Sequence, residues 1–459
     1  QWDEFDGFIS KLEMPFFYLP GNHDSTNETM AKIWEKRLGR SYYSFAYRDV
    51  LFLCLDTQDP QVFNVGETQI QWVRETLAKH ADARWTLVFM HSPLWRYNDN
   101  EERGWSAIET ALAGREHTVF AGHFHSYLKS TFNKSNYYVL ATTGGGSSLR
   151  GPAYGEFDQV AWITMTKDGP VIANLLLDGI QPDDVRTVES KALMDQVSKT
   201  AMSSETLWRE AGKTSKRQLE LISANPTDIP IDVSFEIIPA PGIETQLTNG
   251  SSQSPVERRS FTLQPKSSTS FNLILNGEIP AYSHQAFRAG QIKWQALLQP
   301  SENKDLKLNG MMTIPIVPRL HVQTLAEVRI DGDLQDWPTD SWNDVQSPHL
   351  RSEKEGWTGP KDCRFRVNYA HDENHLFVAV EVRDDVIVSK PNIMPWNQDG
   401  IRVGIDFRSP QFHRLPSIPS INGTVFLATS PTPGDGMDST YLYQAGAHLP
   451  KGSQICNRQ

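Results

Sequence analysis

The chain has 459 residues, too many for one compact domain of roughly 100–200 residues, so about three domains are expected. Hydrophobic residues at 39% and charged residues at 22% exclude wholesale disorder, and no apolar run approaches the ~20 residues that would span a bilayer. Lys and Arg at 44 against Asp and Glu at 55 give a charge of −11, which disfavours nonspecific polyanion binding, so no specific nucleic-acid partner is expected. Cys54, Cys363 and Cys456 are too few and too far apart for a disulfide framework or a thiolate zinc site. The chain opens at Gln1 with neither an initiator Met nor a targeting segment, and it reads as a fragment.

In chain order, residues 1–182 alternate short apolar runs with helical periodicity, the pattern of a layered α/β domain. Strands are expected at Phe16 to Leu19, Val50 to Leu55, Trp85 to Met90, Thr118 to Ala121, Tyr137 to Ala141 and Val160 to Met165. A helix from Glu67 to His80 would place Ile70, Val73 and Leu77 on one face. Residues 183–217 are polar, with sparse apolar positions, and read as a helical connector. Residues 218–320 carry short strand patterns between Asn, Gly, Pro and Ser turns, which predict an immunoglobulin-like β-sandwich. Residues 321–459 hold further strands, at Ala326 to Ile330, Cys363 to Tyr369, Leu376 to Val382 and Gly400 to Phe407, and predict a second β-sandwich, cut before its close.

Three of the expected strands in the first region run straight into loops bearing metal-competent side chains. Phe16 to Pro20 precedes Gly21-Asn22-His23-Asp24, Trp85 to Met90 precedes His91, and Thr118 to Ala121 precedes Gly122-His123-Phe124-His125. Open α/β sheets gather their sites at the carboxyl ends of neighbouring strands, so these loops are expected to converge. Imidazoles from His91, His123 and His125 with an amide oxygen from Asn22 suit borderline metals such as Mn, Fe, Zn or Ni rather than calcium. On an extended segment, the spacing of His123 and His125 would point both rings to one side. Gly21 and Gly122 are expected to let the backbone approach the ions. Asp24 reads either as partner of His23 or as cap of a helix begun near Ser25, and Gly144 to Ser148 as a tight turn or a phosphate cradle.

These blocks, with Met90-His91-Ser92-Pro93, Ser41 to Phe45, Leu53 to Thr57, Glu67 to Trp72 and Gly144 to Ser147, resemble the calcineurin-like metallophosphoesterases, on the purple-acid-phosphatase side of that superfamily. The resemblance covers roughly the first 180 residues. It implies a dinuclear centre in which Asn22, His91 and His123 bind one metal and His125 the other, the ions being Fe, Mn or Zn. It further implies that His23, oriented by Asp24, protonates the leaving alkoxide while two cations stabilise the entering and leaving oxygens. The family's two earlier blocks, Asp-x-His and Gly-Asp-x-x-Asp, are not found in the twenty residues ahead of Gly21. The first domain is therefore read as lacking its N-terminal part, and the chain alone is expected to hold at most half of the centre and to be inactive.

Downstream, Ile330 to Trp337, Phe365 to Tyr369, Asn374 to Val380 and Pro395 to Ile401 are similar to family 9 carbohydrate-binding modules. That resemblance implies a sandwich that stacks sugars on Trp, with Trp396 and Trp357 as candidates; Trp337 and Trp396 read equally as core or rim residues, and Asp331, Asp333 and Asp336 as turn formers ahead of calcium ligands. The leading hypothesis is an extracytoplasmic phosphoesterase acting on phosphate mono- or diesters, with β-sandwich modules that attach it to a polysaccharide or envelope glycan. The competing hypothesis is a binding or scaffold protein with a degenerate phosphoesterase domain.

Overall fold

The computed structural model describes residues 2–25, 27–209, 217–249, 252–254, 258–277, 287–301, 304–319, 322–325, 328–338, 342–345, 358–388, 399–406, 424–429 and 440–442. Strand outweighs helix across these residues, which are arranged in several separate sheets. The chain divides into two compact units: residues 1–198 with 227–231 and 296–309, and residues 199–226, 232–295 and 310–459.

The first unit is built on a six-stranded sheet. Its strands are β1 (Tyr43–Tyr47), β2 (Val50–Cys54), β5 (Trp85–Phe89), β6 (His117–Ala121), β8 (Ser135–Val139) and β7 (Leu128–Phe132), in that spatial order. A short bridge of β3 (Gln58–Asp59) with β4 (Asn64–Val65) lies in the loop between β2 and helix α3 (Glu67–Lys79). The central strands β2, β5, β6 and β8 run parallel, and antiparallel β1 and β7 close the edges. Parallel strands are covered on both faces, which is why β2, β5 and β6 read as near-continuous apolar runs.

One face buries Leu51, Leu53, Val88, Val119 and Tyr137 against Ile70, Val73 and Leu77 of α3 and against Trp105, Ile108 and Leu112 of α4 (Trp105–Leu112). The opposite face packs on the antiparallel sheet of β9 (Val160–Thr166), β10 (Gly169–Leu176) and β11 (Gly179–Pro182), with Ile172 at the centre. Along that face an aromatic ladder crosses the strands from Phe17 through Phe45, Phe52, Phe89 and Phe120 to Tyr138. Successive rings are 4.4–6.2 Å apart and 3–15° from parallel. The register makes the ladder, because Phe45 sits opposite Phe52, Phe89 opposite Phe120 and Phe120 opposite Tyr138.

Two expectations from sequence fail here. Phe16 to Leu19 forms no strand, although apolar; the Tyr43 hydroxyl of β1 holds it by donating to the Tyr18 carbonyl at 2.7 Å. The helix after Gly21-Asn22-His23-Asp24 is α2 (Glu28–Leu38), and Asn27 caps it by accepting from the Met30 amide, so Asp24 is no helix cap. Before these elements lies α1 (Trp2–Ile9), and after the first unit's sheets lies α5 (Val188–Thr200).

Beyond α5, two five-stranded sheets face each other. One pairs Ser203–Ser204, Gln218–Ala224, Ser268–Gly277, Ile243–Asn249 and Ser252–Ser254, and the other pairs Leu207–Arg209, Lys304–Pro318, Phe287–Ser301, Ile231–Pro239 and Arg258–Leu263. The stretch 183–217 expected as a helical connector is therefore helical only over Val188–Thr200 and then supplies a short strand to each sheet. Phe271 of the first meets Phe235 and Phe261 of the second at 5.3 Å each. In the last region Cys363–His371 pairs with Leu376–Asp384, and Ile401–Asp406 with Thr424–Thr429. Residues 328–330, expected in a strand, lie outside any strand. Trp337 is buried at 5% exposure beside Ala370 and Ala379, which settles it as core. Asp331, Asp333 and Asp336 accept backbone amide bonds from Asp333, Gln335 and Arg329, as turn formers do. Trp357 and Trp396 lie outside the described residues.

The ladder's middle ring should matter most to stability. Phe89→Ala is expected to cost about 3–5 kcal/mol and Phe17→Ala, at the ladder's half-exposed end, under about 1 kcal/mol, read from urea midpoints of the full chain.

Candidate metal site at the ends of the parallel strands

The site sits where the carboxyl ends of β5 and β6 pass into loops. Their parallel ladder continues one step past each strand: Met90 N–H donates to the Phe120 carbonyl at 3.0 Å, and Gly122 N–H to the His91 carbonyl at 2.9 Å. The His91 loop is held from the β2 side as well, because Ser92 N–H donates to Thr57 Oγ at 3.1 Å. Buried Gln69 of α3 clamps the neighbouring residue, accepting from Asp56 N–H at 2.9 Å and donating to its carbonyl at 3.1 Å.

Three donor atoms meet in this crevice. His91 Nε2 is 2.8 Å from Asn22 Oδ1, His123 Nδ1 is 3.2 Å from the same oxygen, and the two ring nitrogens are 3.2 Å apart. Burial first, then the nearby imidazoles of His123, His23 and His125, push the His91 pKa down to about 4. Burial, His125 and His23 lower that of His123 as well. Both rings are therefore neutral near pH 7, the state in which imidazole ligates metal. Neutral nitrogens and an amide oxygen converging within 3.2 Å of one another fit a divalent cation. Among the described residues, no three His, Cys, Asp or Glu side chains form a ligand group; the cluster is two imidazoles and an amide.

His125 is exposed, and it is near enough to His91 and His123 to oppose their charged forms. Its Nδ1 is 2.6 Å from the Gly146 carbonyl, an acceptor only, so Nδ1 carries the proton and Nε2 keeps a free lone pair. The Gly144 to Ser148 stretch thus anchors a histidine. It is itself pinned by Asp158, whose Oδ1 accepts from Thr142 Oγ at 2.7 Å and Gly144 N–H at 2.8 Å.

The extended reading of His123-Phe124-His125 is corrected. His123 and His125 both have positive φ, 69° and 51°, and Phe124 N–H donates to the Gly122 carbonyl at 2.8 Å across a three-residue turn centred on His123. The two rings are therefore aimed by left-handed backbone rather than by strand alternation. Gly122 is also less constrained than expected, since an added Cβ would meet only ordinary contacts at 3.8 and 4.0 Å. Gly21 is required: a Cβ there would lie 2.9 Å from His91 Cε1 and Nδ1.

His23 is exposed and close enough to His91 and His123 to repel their charged forms. Asp24 closes the turn that carries His23, its Oδ2 accepting from Gly21 N–H at 2.8 Å and its amide donating to the Gly21 carbonyl at 3.0 Å. Among the described residues its carboxylate bonds to this amide and not to the His23 ring.

Residues 1–127 match the family model described as calcineurin-like phosphoesterase, and residues 330–413 match that described as carbohydrate family 9 binding domain-like. The chain carries a calcineurin-like phosphoesterase domain and a family 9 carbohydrate-binding-like domain. A search of curated proteins returned no match. Solved structures overlap the chain only loosely. The CssB subunit complemented with a CssA donor strand, from enterotoxigenic Escherichia coli colonization factor CS6, is 13% identical over 26% of this chain and 97% of its own, with a TM-score of 0.18. The Salmonella enterica SafA pilin with the SafB chaperone is 14% identical over 37% and 70%, with a TM-score of 0.19. A beta-glucosidase from Kluyveromyces marxianus is 10% identical over 55% and 35%, with a TM-score of 0.13. Similarity at this level supports no inference.

Within the phosphoesterase domain, sequence reasoning missed Thr57, Gln69 and the Gly146 carbonyl, which brace the loops, and Phe63, whose ring lies 4.9 Å from that of His123. Thr57 and Gln69 stand inside the segments Leu53 to Thr57 and Glu67 to Trp72 that carry the family resemblance, which was the signal at hand. A crystal structure of Gly21→Ala should show the His91 ring driven off Asn22 Oδ1, whereas Gly122→Ala should keep that contact.

Proposed function

We propose that the intact protein hydrolyses phosphate mono- or diesters at a dinuclear metal site in an α/β-sandwich phosphoesterase domain. The observation that carries this reading is the triangle of Asn22 Oδ1, His91 Nε2 and His123 Nδ1, each within 3.2 Å of the other two. These three residues hold one ion, and His125 offers Nε2 to the other; iron, manganese or zinc suits such donors. When bound, such a pair of cations polarises phosphoryl oxygens and makes water nucleophilic near neutral pH.

The chain's own residues do the rest. Gly21 lets the Asn22 loop close on His91, and the Gly122 amide fixes the two histidine loops to each other. His23 holds the proton given to the leaving alkoxide, a task open to an exposed imidazole beside the cluster. Asp24 serves His23 by locking the Gly21 to Asp24 turn rather than by bonding its ring.

The division into residues 1–182, 183–217, 218–320 and 321–459 is kept as part of this proposal, with the end of the second segment joined to the sheets of the third through Ser203–Ser204 and Leu207–Arg209. The last region attaches the enzyme to a polysaccharide or envelope glycan through Trp396 and Trp357, and the protein works outside the cytoplasm. Among the described residues, no helix is long and apolar enough to cross a membrane.

The alternative reading is a binding or scaffold protein whose phosphoesterase domain has no turnover.

The test is metal content together with hydrolysis of aryl mono- and diester phosphates by the intact protein. His91→Ala and His123→Ala should lose metal, and His23→Ala should keep it while kcat falls about 10²–10⁴-fold. Bound metal with no hydrolysis of either ester would select the scaffold reading. Trp396→Ala should weaken retention on immobilised polysaccharide, and unchanged retention would remove it as a stacking platform.

A further inference from the structure

The metal cluster has an aromatic wall on one side. Phe63 meets the His123 ring at 4.9 Å, Tyr97 stacks on Phe63 at 5.7 Å and 24°, and Phe124 lies 6.1 Å from Tyr97. These rings come from three separate loops: the one between β2 and α3, the one after His91, and the turn of His123 itself. Phe124 is 42% exposed and Tyr97 only partly buried, so the wall presents apolar faces to solvent beside a polar centre.

The wall is braced. Phe63 has φ 63°, a left-handed backbone that bulky residues adopt only when their surroundings impose it. Arg103 supplies that constraint, donating from Nη1 to the Phe63 carbonyl at 3.0 Å while its guanidinium sits 4.6 Å over the Tyr97 ring. Its charge is already matched by a two-pronged pair with Asp99 at 2.6 and 2.8 Å. Arg103 is therefore a brace for the rings and not a free cation for phosphate.

A braced, solvent-facing group of rings next to a ligating histidine has the makings of a subsite for a flat apolar group. Resting on the phosphoesterase reading above, we propose that this site prefers phosphate esters whose leaving group is an aromatic ring, which packs against Phe124 and Tyr97 while the phosphoryl group faces the metal cluster. Aliphatic esters reach the same cluster and gain nothing from the wall.

The experiment compares kcat/KM of the metal-loaded intact protein for 1-naphthyl phosphate and for β-glycerophosphate. Because leaving-group acidity is the same for wild type and variant, the change in the ratio of the two reports on the wall alone. Phe124→Ala, at an exposed position, and separately Tyr97→Leu, should each lower the naphthyl-to-glyceryl ratio about tenfold, mainly through KM. An unchanged ratio in both variants, with wild type active on either ester, overturns the subsite and leaves the phosphoesterase reading standing. Wild type inactive on both esters overturns the phosphoesterase reading, and the subsite with it.

Discussion

Everything at the site depends on the parallel hydrogen-bond ladder of β5 and β6 running one step beyond the strands. The Gly122 amide donates to the His91 carbonyl, so the two histidine loops are part of the sheet rather than appendages to it. A parallel ladder ends all its strands at one edge, and side chains on the residues just past that edge must share a crevice. Thr57, reaching the Ser92 amide from the end of β2, extends the same edge by another strand. The aromatic ladder beneath ties β1, β2, β5, β6 and β8 into a stiff layer, which keeps that edge in line.

Given that frame, the chemistry follows from crowding. Imidazoles brought this close lose their charge through burial and mutual repulsion, which leaves each neutral ring a lone pair to offer a metal. The converging amide of Asn22 adds an oxygen donor without adding charge. The strained turn at His123 is consistent with this demand, because backbone in the left-handed region is tolerated where surrounding contacts over-determine it. Fixing the tautomer of His125 through the Gly146 carbonyl is the same economy of means applied to a more exposed ring.

The remaining sheets are held by apolar contacts of their own. The facing five-stranded sheets are joined by Phe235, Phe261 and Phe271, and the buried Trp337 anchors the carbohydrate-binding-like region.

Much of the first domain was legible from residue order. Val50 to Leu55, Trp85 to Met90 and Thr118 to Ala121 read as strands because burial on both faces demands uninterrupted apolar runs, and β2, β5 and β6 fall there. Asn22, His91 and His123 are expected to converge because each follows an apolar run, Asn22 that of Phe16 to Pro20, and they do meet. Phe16 to Leu19 misled, since hydrophobicity says nothing about whether a ladder partner is present. Residue types and their order determined which donors exist and at which strand ends they stand. Only the tertiary structure decided where they point: the left-handed turns at His123 and His125, the Asp24 bond to Gly21, and the Phe63 ring on His123 all arise from contacts between distant segments. Local sequence encodes periodicity, whereas the sign of φ in a loop is set by the sum of contacts that the folded chain imposes on it.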